Sequence, residues 1–358
     1  MNLKEFYKDK TVLVTGHTGF KGSWLSLWLS ILGAKVIGIS DRVYTSPSHY
    51  EEIKDIFSID LRGDVKKIKQ VYDLIDTHKP DFIFHLAAQS IVKTSHKNPF
   101  NTFQTNTLGT VNLLESLRKL NPNLIAVLIT SDKSYQNVEK IEGYKEEDKL
   151  GGSDPYSASK AAADIFIESY SKSFFVDAKS KVKVSAARAG NVIGGGDWSN
   201  DRVIPDCIKA WSRNEQAIIK NPQAIRPWQH VLEPLSGYLT LGAKLLRDDS
   251  LVGEAFNFGP DEKDIFTVEE LIQELAKSWS GVKWIVENDP NEIKESMLLN
   301  LNCDKAKSLI SWDSTLSFTE TAKWTAEWYK KYYEDEDKIK DFSFKQIESY
   351  SESLEKKK

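Results

Sequence analysis

A short β-branched run, TVLVT at 11–15, is followed at once by a glycine loop, GHTGFKG at 16–22, and then by a segment in which Phe20, Trp24, Leu27, Trp28 and Ile31 fall on roughly one helical face. Strand, tight turn and helix in immediate succession predict the opening unit of a parallel sheet, and the rhythm continues. KVIGI at 35–39, a short run at 56–60 ending in Asp60, DFIFHLAA at 81–88, IAVLITS at 125–131 and VKVSAAR at 182–188 read as strands. Residues 64–78, 100–119 and 156–177 read as helices. Apolar strands alternating with amphipathic helices predict an α/β fold, a Rossmann-type doubly wound parallel sheet with helices on both faces and right-handed crossovers.

Gly16, Gly19 and Gly22 are spaced GxxGxxG. The first lets the chain turn, the second lets backbone approach a pyrophosphate, and the third allows close helix–strand contact. The helix that follows presents unpaired N–H groups to phosphate. Asp41 closes the second strand, where a carboxylate can accept hydrogen bonds from ribose hydroxyls; this favours NAD. Arg42 beside it is the alternative, a partner for a 2'-phosphate. Asp60 ends the third strand and is a candidate for the adenine side, or else a helix cap or a surface ion-pair partner; Leu61 after it is a further cofactor candidate. His17, inside the loop, either lies over the cofactor phosphates or caps the first helix. Phe20 and the strand-end residues Leu86, Ala87 and Ala88 complete the expected cofactor wall.

Tyr156 and Lys160 are four residues apart near a helix start and share a face. An ammonium close to a phenol favours the phenolate, which can take a proton from a sugar hydroxyl while hydride leaves the same carbon. Ser131 ends the strand before this helix and can orient that hydroxyl. Asp132 and Lys133 follow it, at the carboxyl edge where ligands bind in such sheets.

With TGHTGFKG at 15–22, HLAAQS at 85–90, NTLGT at 106–110 and DPYSASK at 154–160, the chain resembles the extended short-chain dehydrogenases/reductases, in particular the NAD-dependent sugar-nucleotide epimerases and dehydratases. TSDKSYQN at 130–137, ARAGNVIGGGDW at 187–198 and IRPWQHVLEPLSGY at 225–238 narrow the resemblance to the members that act on CDP-glucose. The resemblance spans residues 8 to about 330. It implies a lyase that converts CDP-D-glucose to CDP-4-dehydro-6-deoxy-D-glucose and water, moving hydride internally from C4 to NAD+ and back to C6. Tyr156, Lys160 and Ser131 would serve the C4 oxidation, Asp132 would protonate the departing C6 hydroxyl, and Lys133 would be the C5 base. Lys133 stands where the dTDP-glucose relatives carry glutamate. A lysine of ordinary basicity is a poor base at neutral pH, so a charge-stabilising role stays open beside it. Asn106 is expected to organise the helix near the Tyr–Lys pair. Arg226, Arg188 and Asn191 are candidates for the diphosphate, Arg202 for the diphosphate or nucleotide, Gln89 and Ser90 for the substrate, and Trp198 and Trp228 for flanking the sugar or base. The alternatives are a dehydratase or epimerase of a dTDP-, UDP- or GDP-sugar and, more remotely, a non-catalytic nucleotide-binding regulator on the same fold. A homodimer, paired through helices of the first domain, is also implied.

After residue 188 the strand–helix rhythm breaks. Helices are expected at 203–214, at 267–280, where Thr267 and Glu270 form a capping box, and at 318–333. The 358 residues therefore divide into a cofactor domain at 1–188, to which later segments return, a smaller mixed α/β substrate domain at 189–333, and an extension at 334–358. That extension carries eight acids and six bases and reads as solvated, helical in part. The 48 basic and 52 acidic residues give a net charge of -4, which argues against a nucleic-acid partner. The apolar runs are too short for a membrane span and the opening MNLKEFYKDK is polar, so a cytoplasmic location is expected. Cys207 and Cys303 make no disulfide scaffold, and the histidines show no metal spacing; no metal is expected. Ten tryptophans are an excess that reads mainly as packing.

Overall fold

The computed structural model describes residues 2–261, 266–279, 281–287 and 298–357. Seven parallel strands form the central sheet: β1 (Thr11–Thr15), β2 (Lys35–Ser40), β3 (Ile59–Arg62), β4 (Phe82–His85), β5 (Leu124–Ile129), β6 (Val182–Ala189) and β7 (Ala255–Phe258). Their order is β3-β2-β1-β4-β5-β6-β7, so the chain reverses direction between β1 and β4 and leaves a crevice at their carboxyl ends. The third strand ends at Arg62 and not at Asp60, which lies within it opposite Gly38. The return of later segments to the first domain takes the form of β7, paired with β6.

The inner strands are apolar on both faces because both are covered. Leu13, Ile83, Ala126 and Leu128 pack against α2 (Ile68–His78), α3 (Gly109–Leu120) and α4 (Pro155–Tyr170). Val12, Val14, Phe82, Phe84 and Val127 face the opposite layer, which contains α1 (Phe20–Ile31). Residues 99–120 run as one helical stretch interrupted by a π-turn at Gln104–Leu108. The helices expected at 203–214, 267–280 and 318–333 appear as α5 (Val203–Ser212), α7 (Val268–Ala276) and α8 (Phe318–Glu334), and a further helix that the sequence reading did not mark, α6 (Leu232–Leu245), lies between α5 and α7. The Thr267–Glu270 capping box is present, and Ser317–Glu320 forms a second one at α8. Residue 280, the far end of the expected 267–280 helix, lies outside the described residues.

The charged C-terminus is a packed element and not a solvated extension. It forms α9 (Ile339–Lys356), whose Ile339, Ser343, Gln346, Ile347 and Tyr350 are buried. Its Tyr350 hydroxyl donates to Glu233 on α6 at 2.8 Å, and Trp28 of α1 meets the Tyr350 ring edge-on. The tryptophans knit the layers together. Trp24 stacks on His49 at 4.6 Å and donates to the Gly195 carbonyl at 2.8 Å. A Cβ on Gly195 would sit 2.0 Å from the Trp328 ring, so only glycine fits there. No helix among the described residues is long and apolar enough to cross a membrane.

Candidate active site

The glycine loop is shaped by contact. Gly16 has φ +76°, and a Cβ on it would lie 2.7 Å from the Ala87 nitrogen. A Cβ on Gly22 would lie 2.1 Å from the Gly16 oxygen. The loop therefore presses against Leu86 and Ala87 at the end of β4, and the Ala87 N–H is held by the Thr15 hydroxyl at 3.2 Å. Loop, helix N-terminus and strand end together make a backbone cradle suited to a pyrophosphate. Asp41 stands just past β2, where its carboxylate accepts from the Tyr44 hydroxyl at 2.8 Å and from Arg42 at 3.3 Å. These residues fit the ribose end of a dinucleotide.

Two expected cofactor residues are turned elsewhere. The His17 ring is fully buried beneath the loop; it bonds Asp60 at 2.8 Å and Ser40 at 3.2 Å, and meets the Phe57 ring edge-on. Gly38 makes room for it, since a Cβ there would lie 2.4 Å from the imidazole. Asp60 also accepts from Tyr50 and from Arg62, which together with His17 hold its carboxyl below the usual range despite burial. The carboxylate beyond the end of β3 is Asp64. It was missed because the strand was placed a few residues too early.

The reactive groups converge at the ends of β5 and α4. Ser131 caps a short turn: its hydroxyl accepts from the Lys133 N–H at 3.2 Å and donates to Asp132 Oδ1 at 2.9 Å. Asp132 is 3% exposed and its Oδ2 has no partner. Burial raises its pKa, outweighing the Lys133 charge, the Ser131 bond and the Arg226 charge, which favours the protonated acid. Asp154 caps α4 through the N–H groups of Tyr156 at 2.9 Å and Ser157 at 3.0 Å, and Pro155 starts the helix. This fixes the first turn, which carries Tyr156. Lys160, one turn on, donates to the Ile129 carbonyl at 3.2 Å. Burial lowers it to about 8, with Asp164 opposing. Burial pushes Tyr156 up to about 12, against a Ser131 hydrogen bond and the charge of Arg202. Asn106, in the π-turn, ties the Gln89 backbone to Ser159 of α4 through bonds of 2.8 and 2.9 Å.

A cavity of about 880 Å³ opens over these groups. Ser131, Asp132, Lys133 and Tyr156 form its floor; Ser90, Asn191, Arg202, Arg226 and Trp228 line its walls. Arg202 is held by Asp197 at 2.9 Å and reaches Ser90 at 3.3 Å. Three expected substrate residues are not there. Arg188 is buried in an ion pair with Asp164 at 3.2 Å and donates to the Tyr135 hydroxyl at 2.8 Å. Trp198 packs among Tyr329, Tyr332 and Tyr333. The Gln89 side chain is spent on Thr102 and on the Ile91 N–H. Lys21 is among the cavity residues that escaped the sequence reading. Lys21 lines the cavity from the glycine loop, and its position between Gly19 and Gly22 was the available signal. Behind the lining, the Tyr238 ring of α6 lies 5.9 Å from the Lys21 ammonium, with its hydroxyl buried and unpartnered. Among the described residues no group of three His, Cys, Asp or Glu side chains is placed to hold a metal ion.

The sequence pattern of one family, GDP-mannose 4,6 dehydratase, matches residues 13–325. The CDP-glucose 4,6-dehydratase of Salmonella typhimurium is 41% identical over 94% of this chain and 95% of its own length. The CDP-paratose 2-epimerase of Salmonella typhi is 26% identical over 88% of this chain and 98% of its own length. Among solved structures, the dTDP-glucose 4,6-dehydratase of Bacillus anthracis in complex with NAD superposes with a TM-score of 0.75, at 22% identity, covering 91% of this chain and 98% of that one.

Proposed function

Since this chain belongs to the GDP-mannose 4,6-dehydratase family, within the extended short-chain dehydrogenases/reductases, we propose that it is an NAD-dependent hydro-lyase that converts CDP-D-glucose to CDP-4-dehydro-6-deoxy-D-glucose and water. The observation that carries this reading is the buried Asp132 carboxyl, with one oxygen unpartnered, in the same cavity as Tyr156 and Lys133. An epimerase that only oxidises and re-reduces C4 has no use for an acid at C6. A dehydratase needs one.

Tyr156 takes the C4 hydroxyl proton, oriented by Ser131 and helped by the Lys160 charge. The glycine-loop cradle would hold NAD, which would supply a hydride acceptor for C4 and give the hydride back at C6 as a proton returns to C5, so the cofactor would be regenerated in each turnover. The C4 ketone acidifies C5, whose proton passes to Lys133. Asp132, whose pKa burial raises, gives its proton to the C6 hydroxyl, which departs as water. Arg226 and Arg202 hold the diphosphate with planar, multidentate guanidinium donors, and Asn191 contributes a neutral contact. The Trp228 ring offers a flat wall; its indole N–H is already used by the Phe266 carbonyl at 3.0 Å. The relative with 41% identity supports cytidine as the base. Incubation with CDP-, dTDP-, UDP- and GDP-hexoses, followed by product mass, tests the substrate. Loss of one water from CDP-glucose without net NADH is expected; turnover of another nucleotide sugar alone would refute the assignment.

Phe100, Phe103 and Leu108 before α3, and Ile165 and Phe166 on α4, are exposed on neighbouring helices of the first domain. A patch of this kind favours self-association, and we propose a homodimer across it. Leu108→Arg with Ile165→Arg is expected to halve the solution mass by light scattering; an unchanged mass would place the contact elsewhere. The free buried thiols Cys207 and Cys303 suit a reducing compartment, so we also place the enzyme in the cytoplasm.

A further inference from the structure

Lys21 is the second residue of α1, so its backbone belongs to the glycine-loop cradle. Its half-buried side chain leaves that cradle and enters the cavity of Asp132 and Tyr156. The ammonium stops 5.9 Å from the centroid of the Tyr238 ring. The Tyr238 hydroxyl is itself buried without a partner, within electrostatic reach of Tyr156 and Asp132. Lys160 and Arg202 add positive charge within electrostatic reach. A cation in this setting is costly: desolvation and the charges of Lys160 and Arg202 bring Lys21 down to about 7, with Asp132 pulling it up.

Two fixed points define what lies beside Lys21. One is the glycine loop, which faces the pyrophosphate. The other is Tyr156, where the sugar C4 must stand within hydride reach of the nicotinamide ring. The part of the dinucleotide that spans from one to the other is the nicotinamide riboside. We infer that the Lys21 side chain faces the nicotinamide half of the bound cofactor and biases it electrostatically toward the reduced form. This rests on the NAD-dependent reading above. The oxidised ring carries a positive charge and the reduced ring carries none, so a neighbouring ammonium destabilises only the former. The consequence suits a dehydratase: C4 oxidation becomes easier, and the hydride is held until C6 is ready to receive it.

The test compares the relative affinity for NAD+ and NADH, measured by competition on the full-length chain without any sugar nucleotide. Lys21→Met keeps the length of the side chain and removes a desolvated charge, a change that seldom threatens folding. It is expected to weaken the preference for NADH by about tenfold, equivalent to a fall of about 30 mV in the potential of this two-electron couple. Lys21→Arg is expected to retain the preference. In the wild type the preference for NADH weakens as pH rises and the amine loses its proton; in Lys21→Met the part of that change near pH 7 is lost. Asp132, Tyr156, Lys160, Arg202 and Tyr238 are present in both proteins, so the difference belongs to Lys21. An identical ratio in wild type and Lys21→Met across pH would overturn the inference while leaving the dehydratase reading intact. Failure to bind either nicotinamide form would overturn both.

Discussion

Tyr156→Phe is expected to lower turnover of CDP-glucose about 10³-fold, the scale of a lost general base, with little effect on substrate affinity. The substitution removes one oxygen from a side chain that is nearly buried, so the surrounding packing survives. The pH dependence gives a second reading of the same group. Burial pushes the Tyr156 hydroxyl up to about 12, so its protonated form dominates near neutral pH in the protein alone. The active form is the phenolate. Turnover should therefore rise with pH in the wild type, and this limb should vanish in Tyr156→Phe. Lys160→Met should move the limb to higher pH, because it removes the cation one helical turn away. Steady-state rates across pH check all three, and a Tyr156→Phe enzyme with wild-type turnover would remove this residue from the chemistry.

Asp132→Asn is the second change with a large expected effect, a fall of about 10²–10⁴-fold in release of water. The amide is nearly isosteric and fills the same buried space beside Gly190, where a Cβ would lie 2.9 Å from Oδ2. It cannot supply a carboxylic proton to the departing hydroxyl. The step before it does not need that proton, so C5 should still exchange with deuterated solvent. Lys133→Ala should behave in the opposite way, losing exchange at C5 while C4 oxidation persists. The pair of variants separates acid from base by isotope content of the recovered substrate. Exchange that is unchanged in Lys133→Ala would remove Lys133 as the base.

The parts of the site that were legible in the sequence are those whose geometry is local. A glycine that must adopt φ +76° and a tyrosine four residues before a lysine are weak signals by spacing alone, and they become legible through their places after a first strand and behind a dinucleotide loop. Asp132 and Lys133 were legible because they follow an apolar strand whose carboxyl end had to face the crevice. Arg188 was not, because a strand-end arginine looks the same whether it meets a phosphate or a buried acid. Its partner Asp164 lies 24 residues away, on a helix that packs back against the sheet. Trp198 sits beside a substrate-side glycine motif but turns into a tyrosine cluster contributed by α8. The C-terminal helix was obscured by its charge count; its buried stripe of Ile339, Ser343, Gln346, Ile347 and Tyr350 includes three polar or amphipathic residues that hydropathy does not mark. Lys21 was hidden in the opposite way, since a lysine at a helix start is usually solvated.

The central claim is that hydride moves within one substrate molecule, from C4 to C6. The direct measurement is turnover of CDP-glucose labelled with deuterium at C4, with the product examined by NMR. The account predicts the label at C6 of a 4-dehydro-6-deoxy product, with a solvent proton at C5. A product that keeps deuterium at C4, or that loses the label to solvent, would contradict it.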